Sequence, residues 1–328
     1  MTNDNRWSII LAGGEGERVR PLIQQWLGHH KPKQYCTFVG HRSMFQRTLD
    51  RADRISLPEH RVTVIARSHK MEAERQFGNR PVGILVEQPS NRDTAAGVFL
   101  PLSFVRARDP EATVVIYPSD HFIYPENRFV EIVRNALEAV EKRPGRMVLL
   151  GARPTSLELE YGWIKLGLPQ MVLDGCPLRT VEAFYEKPNV ALAKSAMDAG
   201  SLWNTFIVVA KVDLLWELGW RYVPAIMQPF ERMLTAIDTM KEKSVLRSIY
   251  EFLPSLNFAS DLLAYATSDL DVIEMKDVLW CDWGKPERIV ETLRCIGKEP
   301  SFPTDLLQSH GNVAAKLQDI TAIRCSTA

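Results

Sequence analysis

Residues 9–22 read IILAGGEGERVRPL, a short apolar run that breaks into a glycine cluster and then into Arg18, Arg20 and Pro21. Several phosphate-gripping loops begin this way, and the residues after the glycines separate them. A Walker loop needs a second glycine five residues after the first, followed by lysine. Gly13 is followed at that distance by Arg18, so the Walker reading fails. A dinucleotide fingerprint would use Gly14 and Gly16, but Val19 stands where the third glycine belongs, and Pro21 comes too early in the helix that fold requires. What remains is a turn whose glycines permit unusual dihedrals and close approach, so that backbone N–H groups can face phosphate oxygens. Glycines alone would make only a tight turn. Arg18 as a planar fork, with Lys31 and Lys33 in HKPKQY as point charges, tips the reading toward a polyphosphate.

Outward from this loop, apolar runs of strand length alternate with amphipathic stretches. RVTVIARS (61–68), GILVEQ (83–88), TVVIYPSDH (113–121) and RMVLLGAR (146–153) read as strands. Helices are expected around 43–53, 69–77, 94–109 and 126–142. This alternation, with nearly continuous apolar strands, predicts an α/β fold: a Rossmann-like, mostly parallel sheet with helices on both faces. Ligands in such sheets bind at the carboxyl ends of strands, and AGGEGER, EQPSNRDT and YPSDH all fall at such ends. Beyond residue 153, YGWIKLG, RTVEAFYEKP and WNTFIVVA read as strands, with a helix at 190–199. Next come a mainly helical region from about 211 to 269, a strand DVIEMKD and a closing helix with Pro286 in its first turn.

Forty basic residues balance forty acidic ones, and nothing in that balance suggests a general nucleic-acid or membrane binder. The five cysteines (Cys36, Cys176, Cys281, Cys295, Cys325) are scattered without a C-x-x-C pair, which argues against a disulfide framework or a zinc site and for a reducing compartment. No apolar run is long enough to span a bilayer, and MTNDNRWS makes a poor signal peptide. The expectation is a soluble, cytoplasmic protein.

LAGGEGERVRPL followed by KPKQY resembles the signature of the sugar-1-phosphate nucleotidylyltransferases, and most closely that of mannose-1-phosphate guanylyltransferases. The likeness continues in order through QPSNRDTA, YPSDH, YGWIK, FYEKP, WNTF and WCDWGKPERI, over residues 9 to about 290. Any one match is weak; seven in series are strong. The resemblance implies a nucleotide-diphospho-sugar transferase fold over residues 1–290, with a C-terminal helix and tail at 291–328. The implied reaction transfers GMP from GTP to mannose 1-phosphate with Mg2+, releasing pyrophosphate. Another NTP and sugar 1-phosphate pair, or a catalytically silent nucleotide-sugar-binding regulator, are the alternatives. A homodimer is expected by analogy alone.

The resemblance also implies residue roles. Arg18, Lys33, Asp120 and Asp282 would be catalytic, with Asp120 and Asp282 as metal ligands. Leu11, Ala12, Gly13, Gly14, Gly16, Arg18, Lys33, Gln88, Asn91, Arg92, Thr94 and Asp120 would bind the nucleotide. Tyr161, Gly162, Glu186, Lys187 and Asn204 would hold the sugar phosphate. Three positions depart from the pattern: Gln88 stands where the guanylyltransferases usually have Glu, Asp93 where they have Asn, and Phe206 where they have a small glycine. A carboxylate at position 88 suits guanine's donors more specifically than an amide does. A ring at 206 either reshapes the sugar pocket or points into the core. The chemistry fits a site without a His or Cys nucleophile, because the attacking phosphate oxygen is already an anion. The protein must neutralise repulsion and align the two substrates.

Overall fold

Trp7 and Ile9 of strand β1 (Arg6–Ala12) enter one core cluster, while Ile10 and Ala12 enter another. Strand side chains alternate between faces, so a strand buried on both sides reads as a continuous apolar run. Val114 and Ile116 against Val115 and Tyr117 repeat the pattern in the YPSDH strand. The computed structural model describes residues 5–310, with side chains through Leu307; Cys325, the first four residues and the tail beyond His310 lie outside the described residues.

The strands are β1, β2 (Arg61–Ala66), β3 (Ile84–Gln88), β4 (Thr113–Pro118), β5 (Phe122–Tyr124), β6 (Met147–Ala152), β7 (Trp163–Leu173), β8 (Cys176–Tyr185), β9 (Leu202–Lys211), β10 (Leu270–Glu274) and β11 (Leu279–Cys281). Nine of them form one sheet in the order β3-β2-β1-β4-β9-β6-β10-β8-β7. β9 and β8 run against the other seven, so the sheet is mixed but mostly in one direction. β5 and β11 make a separate two-stranded ribbon. The helices are α1 (Arg20–Leu27), α2 (Met44–Ala52), α3 (Lys70–Phe77), α4 (Asp93–Arg106), α5 (Glu126–Lys142), α6 (Val190–Asp198), α7 (Val212–Tyr222), α8 (Pro224–Leu234), α9 (Glu242–Phe252) and α10 (Pro286–Cys295). α4 and α7 to α9 cover one face of the sheet, and α2, α3, α5 and α6 cover the other. α1 and α10 share a third core with Phe38, Phe122 and Trp283.

Local chemistry explains the expected boundaries. Ser43 caps α2 through a reciprocal pair with Gln46, and Pro286 occupies the first turn of α10. The strands read from YGWIKLG and RTVEAFYEKP form parts of β7 and β8, which run on further than expected to meet in a hairpin. Its turn is Asp174-Gly175, both with positive φ (44° and 75°), the conformation a two-residue hairpin turn needs. No helix among the described residues is long and apolar enough to cross a membrane.

Candidate active site

β1 ends at Ala12, and the glycine loop beyond it is tied from beneath. Gln34 Nε2 donates to the carbonyls of Ala12 (3.0 Å) and Gly14 (2.8 Å), while His69 Nε2 lies 3.1 Å from Glu15 Oε1. Two glycines are required by close approach. Gly16 has φ 64°, and a Cβ there would stand 2.6 Å from Lys33 Cβ; a Gly13 Cβ would stand 2.8 Å from Gln88 Oε1. Gly14, by contrast, faces open space. The loop therefore presses Lys33 into the site, where that residue is only 4% exposed.

The two aspartates, far apart in sequence, meet through the β5–β11 ribbon. Its register sets Cys281 opposite Phe122, so the residues just outside the ribbon, Asp282 on one arm and Asp120 with His121 on the other, arrive at one place. Leu11 contributes its carbonyl, which accepts from the Ser119 amide (3.1 Å) and hydroxyl (2.7 Å) and so fixes the approach to Asp120. Lys33 Nζ bridges the pair, 2.7 Å from Asp120 Oδ2 and 2.5 Å from the Asp282 carbonyl. Asp282 Oδ1 accepts from the Tyr161 hydroxyl, from Arg288 Nη1 (3.0 Å) and from the Gly284 amide (3.0 Å). Its Oδ2 is met by Arg18 Nη2 at 3.0 Å, and Arg18 Nη1 reaches Glu160 at 2.7 Å. Trp283, next to Asp282, stacks on Phe122 with ring centroids 4.4 Å apart.

Burial pushes the Asp282 carboxyl up, but the Lys33 ammonium, the Tyr161 hydroxyl, His121 and the Gly284 amide together hold it well below the ordinary carboxylate range. The same contest lowers Asp120, where burial is outweighed by Lys33 and His121. Both groups are therefore anionic at neutral pH. Asp120 stays about a third exposed, whereas the Asp282 side chain is buried and its Oδ2 is partnered by Arg18. That donor set suits magnesium, which takes one or two carboxylates and completes its shell with water and substrate phosphates.

Beside the loop a cavity of about 450 Å³ opens, lined by Gly13, Gln88 and Asn91 together with Ala66, Arg67 and Ser68 from the end of β2. Of the remaining residues singled out near the base, Arg92 donates to the Tyr250 carbonyl (2.9 Å), and the Thr94 hydroxyl accepts from the Phe258 amide (2.8 Å). Both clamp the helical insert, residues 212–269 between β9 and β10, rather than line the cavity. On the other side, a Gly162 Cβ would meet Glu186 Oε2 at 2.9 Å and Asn204 Cβ at 3.3 Å, so these three are packed together. Burial raises the Glu186 carboxyl above its usual value despite neighbouring Lys187. Lys187 itself is exposed, with φ 43°.

Phe206 also adopts a glycine-like φ of 60°, and its ring packs against Phe258 at 5.7 Å on the edge of the core. Phe206→Gly is expected to lower stability by about 1–3 kcal/mol, because lost packing outweighs the relieved backbone strain. Preference among sugar 1-phosphates should stay within about twofold, since a ring turned into the core lines no pocket. Thermal unfolding and a substrate panel on the same variant check both.

Arg288, Glu158 and Glu160 were not anticipated. Arg288 Nη2 pairs with Glu158, and its guanidinium lies 5.0 Å over the Tyr161 ring. Its signal was present in WCDWGKPERI, six residues after Asp282, where PERI reads as no more than a helix start.

Residues 7–299 match the family described as Nucleotidyl transferase. The xanthan biosynthesis protein XanB of Xanthomonas campestris pv. campestris is 33% identical over 314 residues, covering 92% of this chain and 62% of that protein. The chain thus spans less than two thirds of the length of such relatives. A mannose-1-phosphate guanylyltransferase of Salmonella montevideo is 29% identical over 210 residues, covering 62% of this chain and 43% of its own. Among solved structures, one described as mannose-1-phosphate geranyltransferase from Thermus thermophilus superposes with a TM-score of 0.75 at 25% identity, covering 88% of this chain and 79% of that one. With the family match spanning the glycine loop, both aspartates and the ribbon that joins them, the chain belongs to the nucleotidyl transferase family.

Proposed function

We propose that the protein is a magnesium-dependent, cytoplasmic nucleotidylyltransferase that joins GTP and mannose 1-phosphate into GDP-mannose and pyrophosphate. The observation that carries this reading is the convergence of Arg18, Lys33, Asp120 and Asp282 at the carboxyl ends of β1 and β4, beside the cavity that Gly13 borders. Guanylyltransferase relatives at 29% and 31% identity support the choice of substrates.

The sugar phosphate oxygen attacks the α-phosphorus of the nucleotide, and the bond to the bridging oxygen of pyrophosphate breaks. No proton needs to be removed from the nucleophile. Lys33, buried and aimed into the site, stabilises charge at the α-phosphate. Arg18, half exposed and held by Asp282 and Glu160, is free to turn onto the β- and γ-phosphates. Asp120 and Asp282 would hold magnesium, which when bound neutralises phosphate oxygens. Glu186, Gly162 and Asn204 orient the sugar, with Lys187 on its phosphate.

Pyrophosphate release across four NTPs and three sugar 1-phosphates (mannose, glucose, N-acetylglucosamine) tests the reading. Release confined to GTP with mannose 1-phosphate is expected. Release from a different pair would keep the chemistry and overturn the specificity. Binding of nucleotide without release from any pair would favour a regulatory protein that has kept the fold.

A further inference from the structure

Gln88 is 8% exposed at the end of β3, with its Oε1 beside Gly13 on the wall of the nucleotide cavity. Its Nε2 donates to the Tyr250 hydroxyl at 3.1 Å. Tyr250 comes from α9 in the helical insert and is 2% exposed. The insert is fastened to residues 92–95 at several points, one of them Asn257 Nδ2 on Asp93 Oδ1 (3.2 Å). Arg92 donates to the Tyr250 carbonyl (2.9 Å), the Phe258 amide donates to Thr94 Oγ1 (2.8 Å), and the Ala95 amide donates to the Leu256 carbonyl (3.0 Å). The backbone that carries the phenol is therefore pinned beside the amide.

A carboxylate offers only acceptors, whereas a primary amide offers an acceptor or a donor according to which way it is turned. Guanine presents donors at N1 and N2; adenine presents an acceptor at N1. A carbonyl facing the cavity favours guanine, and an amino group facing it favours adenine. We propose that Tyr250 is a specificity-determining positioning residue: by taking the Gln88 amino group it turns the Gln88 carbonyl toward the base, so that an amide reads guanine as a carboxylate would. This rests on the reading that the cavity receives the nucleotide's base.

The test measures equilibrium binding of GTP and ATP to the wild type, Tyr250→Phe, Gln88→Glu and the double variant. Wild type is expected to favour GTP by about tenfold or more, as one correctly oriented hydrogen-bonding edge allows. Tyr250→Phe should bring that ratio to within about threefold, weakening GTP and strengthening ATP as the amide turns. In the Gln88→Glu background the same Tyr250→Phe change should leave the ratio unaltered, because a carboxylate has no donor end. A merely structural tyrosine would weaken both nucleotides alike in both backgrounds, which overturns the proposal. A wild type that prefers GTP together with an unchanged ratio in Tyr250→Phe overturns the role of Tyr250 and leaves the guanylyl reading standing. A wild type without guanine preference overturns both.

Discussion

Asp282→Asn is expected to cut turnover by on the order of 10³-fold while far-UV circular dichroism stays native. The carboxylate sits where Arg18, Arg288, Tyr161 and the Gly284 amide converge, with Lys33 on its own carbonyl. An amide fills the same space and keeps part of the hydrogen bonding, but it takes one of two counter-charges from Arg18 and Arg288, which keep Glu160 and Glu158, and offers magnesium no anion. Asp120→Asn should show a loss of the same order, and near-normal activity in either would remove that residue from the site. Stability supplies a second readout. Because the folded Asp282 carboxyl lies below its unfolded value, its contribution is fully present above about pH 4 and fades as pH falls through the lowered folded value. The gap in unfolding free energy between wild type and Asp282→Asn should therefore narrow below about pH 4, as acid-limb denaturant titrations would show.

Lys33→Met should lower kcat by about 10²–10³-fold with little change in volume. The ammonium is the leading influence that lowers both aspartates against burial. Its loss raises both carboxyls and leaves two anions facing each other. Magnesium affinity should then tighten even as turnover falls, since the competing cation has gone. Isothermal titration with Mg2+ alongside kinetics reads that split, and weaker metal binding would show that Lys33 supports the metal site rather than the phosphate. Lys33→Arg should not rescue. Gly16 presses on the Lys33 Cβ, and a guanidinium needs a wider, planar space than an ammonium does.

The parallel half of the fold was legible because its signal is local. β1, β2 and β4 are buried on both faces and stand out, with the edge strand β3, as apolar runs, and α5 falls on the expected residues 126–142. Parts of β7 and β8 were read as strands, but not their extension to a shared hairpin turn, because exposed Leu168 and Val172 blur the alternation there, although Asp174-Gly175 marks the turn. β5 is three residues long, too short for any periodicity, yet it decides where Asp120 lies. In the site, Asp120, Asp282, Arg18 and Lys33 were found through motifs, and the structure brings all four together. Tyr250 and Ser68 were not found, since neither sits in a motif and their relevance arises only when distant segments fold onto the end of β3.

The β5–β11 ribbon has a consequence for how the protein comes into being. One arm of the ribbon leaves the ribosome roughly 150 residues before the other, a count set by positions 124 and 279. A nascent chain can therefore complete the glycine loop and much of the sheet while its second aspartate has yet to be made. The pairing of the two carboxylates therefore comes late, and a chain whose synthesis stops within that interval carries the glycine loop and Asp120 without Asp282. A chain cut within that interval would bring the two carboxylates together only where its pieces associate again, through the ribbon and through the sheet pairings that cross the cut.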